Sequence, residues 1–262
     1  IHWHWKLNKE TLKVWAQVIG LIVVLYVFLV SIGLLGGAFK LFGKELAQQL
    51  IEMTSNPLVG LFAGILATTL AQSSSTTTSI AVGMVAGGAL TIEGAIPVIM
   101  GANIGTSVTN TLVSMGHITR KEEFKRALAG ATVHDFFNLM AVALFLPLQL
   151  ATGVFSKAAT QIAELLPIGS GPGGFQSPIK SAVKDVAGWF KYGVENLLGL
   201  EGGFAGTVYL FLGLALIFFC LTTITKTMRI IIAERAEQAL NAALRRSGLI
   251  AIGIGVIITV AV

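Results

Sequence analysis

Sixty consecutive positions, residues 57–116, carry a single formal charge, Glu93, and yet a run of hydroxyl and amide side chains interrupts them at residues 72–79. The run has fifteen apolar residues before it and eleven after it. Each apolar piece is shorter than the roughly 20 residues that a helix needs to cross a bilayer. Irregular backbone at membrane depth has to line a cavity or be covered by protein, so the pattern predicts a re-entrant helical hairpin over residues 57–90.

The composition of the whole chain is that of a membrane protein. Hydrophobic residues make up 54% of the 262 residues and charged residues only 12%, whereas about a quarter of the residues in soluble domains are charged. A disulfide scaffold is excluded because Cys220 is the only cysteine, and the basic residues form no run that would favour nucleic acid over anionic lipid. We predict membrane spans at residues 14–36, 96–115, 128–150 and 208–225.

The span at residues 96–115 is rich in small and polar side chains, which predicts a discontinuous helix of the kind found in transporters. Close helix packing is an alternative explanation for Gly101, Asn103 and Gly105, because small residues let backbones approach each other. The same alternative applies to four small residues spaced at steps of four: Ser75, Ser79, Gly83 and Gly87.

The segments between the spans have patterns typical of the membrane surface. Thr91 and Glu93 have the spacing of a helix start that Thr91 caps. The other elements are an amphipathic helix at 39–53, a charged connector at 120–126, a surface loop at 155–204 with an interfacial helix at 183–197, an amphipathic helix at 230–246 and a final apolar run from residue 249.

Weak internal similarity indicates two repeats. An offset of 191 residues pairs Gly64 with Gly255 and Thr68 with Thr259, and the element order is the same in both copies. Three predicted spans separate the copies, so the second copy is inverted relative to the first. We expect a first repeat at 1–153, an external loop at 154–205 and an incomplete second repeat at 206–262 that ends before its own polar run. Twelve of the eighteen basic residues fall on one side, which assigns that side and the N-terminus to the cytoplasm.

The span at residues 128–150 contains a carboxylate, Asp135. A charged side chain inside a span costs at least about 2.5 kcal/mol on insertion scales, so Asp135 is interpreted as a functional residue. His134 directly precedes it, and adjacent helical residues do not share a face. We therefore expect His134 to be a hydrogen-bonded packing residue.

The polar run has the chemistry of an ion site. Burying a hydroxyl without a partner costs about 1–3 kcal/mol, so the run needs water, ions or substrate. A helix that begins near Ser73 would present free N–H groups to an anion, while carbonyl and hydroxyl oxygens suit a hard cation such as Na⁺. Residues 57–116 contain no Lys or Arg, so co-bound cations would neutralise the anion. This shortage of positive charge predicts coupled transport.

Three motifs carry a resemblance to a known family. They are QSSS at 72–75, GANIGTSVTNT at 101–111 and AGATVHDFFN at 129–138, and in this order they resemble the type II sodium-coupled phosphate cotransporter family. The resemblance implies an all-α polytopic membrane fold with inverted repeats and re-entrant helical hairpins, which carries inorganic phosphate with two or three Na⁺ ions.

The resemblance also implies site residues. Asp135, together with Ala129 and Ala131, matches the electrogenic form of the family. The phosphate-binding residues would be Gln72, Ser73, Ser74 and Ser75. The Na⁺-binding residues would be Gln72, Ser75, Asn103, Thr106, Ser107, Thr109, Asp135 and Asn138.

The sequence thus predicts a sodium/phosphate symporter of the cell membrane that works by alternating access. We expect no enzymatic activity and no cofactor other than the co-transported Na⁺; the partners would be phosphate, Na⁺ and membrane lipids, without nucleic acid, and homodimer formation stays open. Transport of another oxyanion with Na⁺ or protons and a passive anion channel are the alternatives. An intramembrane hydrolase using Ser74, His134 and Asp135 is disfavoured, because the histidine and the aspartate are contiguous and no G-x-S-x-G elbow occurs.

Overall fold

The computed structural model describes residues 9–116, 118–165, 178–197 and 199–244. These residues form α-helices and one π-helical turn, Gly193–Leu197, and contain no strand, so the all-α prediction is confirmed for them. The helices are α1 Lys9–Leu41, α2 Lys44–Ser55, α3 Pro57–Ala71, α4 Ser74–Gly87, α5 Ile92–Met115, α6 Lys121–Thr152, α7 Val154–Leu165, α8 Pro178–Tyr192 and α9 Gly202–Leu244. Residues of the final apolar run, from 249 onward, lie outside the described part, as does the proline- and glycine-rich stretch at 166–177.

The chain divides into two compact units. One unit comprises residues 29–217 and contains α2 to α8 with the adjoining parts of α1 and α9. The other comprises residues 1–28 and 218–262, of which the structure describes parts of α1 and α9. A cavity of about 170 Å³ in this second unit is lined by Gln17, Gly20 and Thr223 among others. The candidate site residues all belong to the first unit.

Three described helical segments are long and apolar enough to cross a membrane: Trp15–Leu41, Lys121–Thr152 and Gly202–Met228. The pair α2 and α3 meets at an angle of 106°, which is the geometry of a broken span or of a re-entrant segment. Helix α5, where we predicted a span at 96–115, is not apolar enough to be one of these segments. Its length is sufficient, but its Asn, Ser and Thr side chains lower its hydropathy, as expected for a helix that packs against other helices.

The prediction of a discontinuous helix at 96–115 is wrong. Helix α5 is continuous from Ile92 to Met115. Hydroxyl groups within it donate to carbonyls of the same helix, from Thr106 Oγ1 to Ala102 O at 3.2 Å and from Ser107 Oγ to Ile104 O at 2.8 Å. The glycines serve close packing, which was the alternative explanation of the same pattern.

Three other boundaries also differ from the prediction. The charged connector at 120–126 is mostly the start of α6, where Lys125 and Glu122 pair at 3.2 Å across one helical turn. The loop at 155–204 contains α7 and α8 in its described part. The separate helices predicted at 208–225 and 230–246 are one helix, α9, because no glycine or proline interrupts the sequence between them.

Helices α3 and α5 pack with their backbones in unusually close contact. A Cβ added at Gly64 would lie 1.9 Å from the carbonyl oxygen of Val98, and one added at Gly101 would lie 1.9 Å from the carbonyl oxygen of Leu61. Further along both helices, Gly105 lies against Thr68. Residue numbers of the contacting pairs rise together, from Gly60 with Pro97 to Gly64 with Ala102 and Thr68 with Gly105, so α3 and α5 run in the same direction. Only glycine allows this approach, because any side chain at these positions would overlap a backbone carbonyl.

Helices α2, α4, α6 and α7 contact the α3–α5 pair. Leu61, Ile104 and Leu146 form a buried cluster that joins α3, α5 and α6. Helix α4 contacts α1, where a Cβ added at Gly83 would lie 2.8 Å from the Cβ of Leu35. The polar turn between α3 and α4 is therefore supported by α5, and α4 itself by α1.

Candidate functional site

A two-residue turn joins α3 and α4 and carries the first half of the QSSS motif. Gln72 ends α3 in the left-handed conformation, with φ 55°, and its side-chain amide donates to the Thr69 carbonyl. Ser73 is the N-cap of α4, because its Oγ accepts from the Thr76 backbone N–H at 3.2 Å and from Thr76 Oγ1 at 2.9 Å. The prediction that a helix begins near Ser73 is confirmed.

Gln72 and Ser73 of the polar run form the turn, and the rest of the run lies in the first turns of α4, as expected for a helix that begins near Ser73. The second apolar piece, from residue 80, continues the same helix. The hydroxyl groups can enter the helix because they bond to carbonyls of the preceding turn, as Ser79 Oγ does to Ser75 O at 2.8 Å. The hydrogen-bonding capacity of the run is thus partly satisfied within the protein.

The four QSSS side chains differ in exposure. Gln72 and Ser75 are exposed, and Ser73 and Ser74 are half-buried. The following Thr76 and Thr77 are buried. The first N–H groups of any α-helix have no intrahelical acceptor, so the start of α4 presents backbone donors next to these hydroxyls. This arrangement can bind an anion at its exposed side.

Three helices meet behind the turn at a pair of buried threonines. Thr68 Oγ1 on α3 donates to Thr77 Oγ1 on α4 at 2.9 Å, and Thr77 Oγ1 donates to the Ser73 carbonyl at 3.2 Å. Thr68 and Thr77 are only 1% and 3% exposed. Gly105 of α5 packs against Thr68.

A second polar cluster lies between α5 and α6. The side-chain amide of the buried Asn138 donates to the Asn103 carbonyl at 3.0 Å. Thr111 Oγ1 donates to Asp135 Oδ2 at 2.6 Å. Asp135 and Asn138 therefore both face α5, as expected from their spacing on one helix.

His134 lies at the edge of this cluster. Its Nδ1 lies 3.4 Å from Asn110 Nδ2, so the expected hydrogen bond is present. The His134 side chain is exposed, however, and the expectation of a packed side chain is wrong. His134 lies at the exposed edge of the α5–α6 contact because it directly precedes Asp135 on the helix, and adjacent helical residues do not share a face.

Asp135 is only partly satisfied. Its Oδ1 is buried and has no hydrogen-bond partner among the described residues. An open pocket of about 270 Å³ is lined by Asn110, Ser114 and Gly130 among others, one helical turn along α5 and α6 from Thr111 and Asp135, which do not line it themselves. A buried carboxylate oxygen without a donor is costly, and a cation beside it removes that cost.

The other predicted Na⁺ residues are distributed along α5. The Asn103 side chain is exposed, Thr106 is half-buried and Ser107 is fully buried, and both hydroxyls donate to carbonyls of α5. Thr109 lies in α5, and its side chain lies outside the described part of the structure. The hydrogen bonds of the described residues join Asn103 with Asn138, but none of them joins the turn at 72–75 to Asp135 or Asn138.

Three side chains that the structure connects to these clusters were not among the predicted ligands: Thr68, Thr77 and Thr111. A signal was present for Thr111, because it stands one turn from Ser107 and Ser114 and belongs to the GANIGTSVTNT motif. The Thr68–Thr77 pair depends on how α3 folds back onto α4. No spacing rule along one helix could have identified it.

The fold and the two polar clusters define the class: an all-α membrane protein with polar contacts between helices of otherwise apolar surroundings. Residues 27–167, more than half of the chain, match the Na⁺/Pi-cotransporter family. The chain belongs to this family, and the two polar clusters lie within the matched residues.

Individual relatives agree with this assignment. Sodium-dependent phosphate transport protein 2B from Homo sapiens is 47% identical over 159 residues, which make up 58% of this chain and 23% of that protein. Sodium-dependent phosphate transport protein 2A from Ovis aries is 52% identical over 132 residues, or 49% of this chain and 21% of that protein. The chain thus spans about a fifth of the length of the relatives it matches. No solved structure shows a significant match to the chain.

Proposed function

We propose that the protein is a secondary transporter that moves inorganic phosphate with Na⁺ across the cell membrane by alternating access, and that it is not an enzyme. Membership of the Na⁺/Pi-cotransporter family and the names of its relatives support this proposal. The observation that carries it is the capped start of α4, an anion-binding arrangement in a stretch of sixty residues without Lys or Arg.

Phosphate binds at the turn between α3 and α4. Gln72 and Ser75 reach it from the exposed side, and Ser73 and Ser74 contribute hydroxyls beside the first backbone N–H groups of α4. A phosphate group carries about 1.5 to 2 negative charges at pH 7, whereas the partial charge at a helix N-terminus is only about half a positive charge. Cations have to enter with the anion, which is the physical reason for symport.

Na⁺ binds beside the turn between α3 and α4, along α5 and at the α5–α6 contact. The ligands proposed are oxygen atoms of Gln72, Ser75, Asn103, Thr106, Ser107, Thr109, Asp135 and Asn138. Asp135 is the residue that sets the number of ions, because its unpaired Oδ1 offers a full negative charge beside the α5–α6 contact. Three Na⁺ with one divalent phosphate carry one net positive charge inward, which gains about 2.3 kcal/mol per 100 mV, while two Na⁺ carry none.

Uptake of labelled phosphate into proteoliposomes with a clamped potential tests the proposal. We expect saturable accumulation against a phosphate gradient that requires external Na⁺ and rises with an inside-negative potential. Competition by excess sulfate or arsenate distinguishes phosphate from other oxyanions, and replacement of Na⁺ by a pH gradient distinguishes Na⁺ from protons. Accumulation that never exceeds the external concentration would indicate a channel and contradict symport.

A further inference from the structure

We propose that Thr68 and Thr77 are positioning residues, which aim the backbone N–H group of Ser74 at the anion through a chain of two hydroxyl hydrogen bonds. The inference rests on the proposed function, because it concerns the same turn. It assigns a role to two side chains outside the QSSS motif. Neither residue touches the anion; both act through the Ser73–Ser74 peptide.

The chain of hydrogen bonds has a direction. Thr68 Oγ1 donates to Thr77 Oγ1 at 2.9 Å, which leaves the Thr77 hydroxyl hydrogen free to donate to Ser73 O at 3.2 Å. The Ser73 carbonyl also accepts from the Thr77 backbone N–H at 3.2 Å. Ser73 O is therefore held by two donors of the same residue, and α3 supplies the donor behind them.

Peptide planarity carries this constraint to the other side of the bond. In a trans peptide the C=O of Ser73 and the N–H of Ser74 lie in one plane and point in opposite directions. Holding the carbonyl toward Thr77 therefore fixes the direction of the Ser74 N–H. Ser74 is the first residue of α4, so this N–H has no intrahelical acceptor and is one of the donors that an anion would use.

The hydrogen-bond chain from Thr68 through Thr77 to Ser73, the relay, is also buried and packed against α5. Thr68 and Thr77 are almost completely buried, so water cannot easily replace either partner. Gly105 of α5 packs against Thr68, where an added Cβ would lie 2.8 Å from the Thr68 Cβ. The position of Thr68 is thus set by α5, and the relay joins α5, α3 and α4 to the turn.

The test compares variants of nearly equal shape in the Na⁺-dependent phosphate uptake assay. Thr77→Val removes both the acceptor for Thr68 and the donor to Ser73, and leaves a buried hydroxyl without its partner. We expect its KM for phosphate to rise about tenfold, as for a buried hydrogen-bonding group left unpaired, with a smaller change in maximal rate. Thr77→Ser keeps the hydroxyl and should restore a KM close to that of the wild type.

The double variant, Thr68→Val with Thr77→Val, tests whether the two hydroxyl groups act together. In Thr68→Val with Thr77→Val no unpaired hydroxyl remains, so its KM should be no higher than that of Thr77→Val alone. Thr69→Val is the matched control, because the neighbouring Thr69 hydroxyl donates only to Ile65 O of its own helix, at 2.8 Å. The proposal would be overturned if Thr68→Val and Thr77→Val raised the KM additively, or if Thr69→Val raised the KM as much as Thr77→Val does.

A second readout does not depend on transport. Hydrogen exchange of the Thr76 and Thr77 backbone N–H groups, which are bonded to Ser73, should become faster in Thr77→Val and stay unchanged in Thr77→Ser and Thr69→Val. If the wild-type protein shows no Na⁺-dependent phosphate uptake, the proposed function fails, but faster exchange would still support the relay. Unchanged exchange in Thr77→Val would contradict the relay even if transport is present.

Discussion

At the level of single residues, Asp135 has the most unusual surroundings among the proposed ligands. One of its oxygens accepts a short hydrogen bond from Thr111, and the other is buried without a partner among the described residues. A carboxylate at membrane depth costs about 2.5–3.5 kcal/mol on insertion scales, and a single hydroxyl donor offsets only part of that cost. A bound Na⁺ would offset the rest.

Asp135→Gly should abolish the phosphate-induced current while leaving part of the phosphate uptake. The carboxylate would otherwise bind the Na⁺ ion that makes the transported complex positive, so transport without it would be electroneutral. Current and uptake have to be measured on the same preparation under a clamped potential. Glu93→Gln serves as control, because Glu93 is exposed in the first turn of α5 behind the Thr91 cap.

An unchanged current in Asp135→Gly would refute the assignment of Asp135. Thr111→Val is a milder change than Asp135→Gly, because it removes the hydrogen-bond donor to Asp135 Oδ2 but keeps the carboxylate charge. We expect it to retain the current and to raise the Na⁺ concentration needed for half-maximal current about tenfold or more, because a hydrogen bond to a charged group contributes about 1.5–3 kcal/mol and about 1.4 kcal/mol corresponds to a factor of ten.

At the level of helices, the contact between α3 and α5 depends on glycine. Gly64→Ala would place a methyl group 1.9 Å from the Val98 carbonyl oxygen, so the two helices would have to separate. Overpacking in a well-packed core costs about 1–3 kcal/mol, and a clash with backbone lies at the upper end. We expect the unfolding midpoint in detergent to fall by about 5–10 °C.

Gly130→Ala is the matched control for this prediction. Gly130 lies in α6, and a Cβ added there meets nothing within 4 Å. Alanine favours a helix over glycine by about 0.5–1 kcal/mol, so this variant should be as stable as the wild type or slightly more stable. Equal midpoints for Gly64→Ala and Gly130→Ala would show that the close α3–α5 contact is not present in the protein.

The helix boundaries that the sequence predicts well are those marked by local chemistry. Pro57 stands at the start of α3, and the polar Gln72 and Ser73 form the turn after it, so this helix was predictable from residues 57–71 alone. The continuity of α5 was not predictable, because Gly101 and Gly105 are equally consistent with a break and with close packing. The choice between them depends on α3, which lies forty residues earlier in the sequence.

The candidate site, too, was predictable from the sequence only in part. Helical spacing predicts that Asp135 and Asn138 share a face, and the structure places both against α5. Their individual partners, Thr111 and the Asn103 carbonyl, depend on the rotation and offset of two packed helices. Those quantities are set by the whole interface and by no single residue.

At the level of the whole molecule, the distribution of basic residues predicts the orientation in the membrane. The start of α6 lies in the basic group assigned to the cytoplasm, and α6 is long enough to cross, so α7 is expected outside. Helix α3 follows a sharp bend after α2, and the α3–α4 pair is expected to enter from the outer face and return to it.

Labelling of single cysteines with a membrane-impermeant thiol reagent on intact cells tests this orientation. We expect Lys157→Cys, Ser55→Cys and Glu93→Cys to react from outside, because all three positions are exposed and lie on the predicted outer side. Lys125→Cys should react only after the cells are opened. The native Cys220 is completely buried and should contribute little background.

Two results would contradict this orientation. If Lys125→Cys reacts from outside and Lys157→Cys does not, the chain is inserted in the opposite sense. If Ser55→Cys and Glu93→Cys react from different sides, the polypeptide between them crosses the membrane once and the hairpin interpretation fails.

Under the proposed alternating-access mechanism, the tight contact between α3 and α5 would limit how the protein changes between its outward-open and inward-open states. Sliding one helix along the other would press a glycine Cα against a backbone carbonyl of its neighbour, so α3 and α5 would have to move together as a rigid body. The QSSS turn at the end of α3 and the Thr106 segment of α5 would then travel as a unit. The hinges would then lie at residues such as Gly43, before α2, and Gly88, after α4, whose φ values are 96° and 76°.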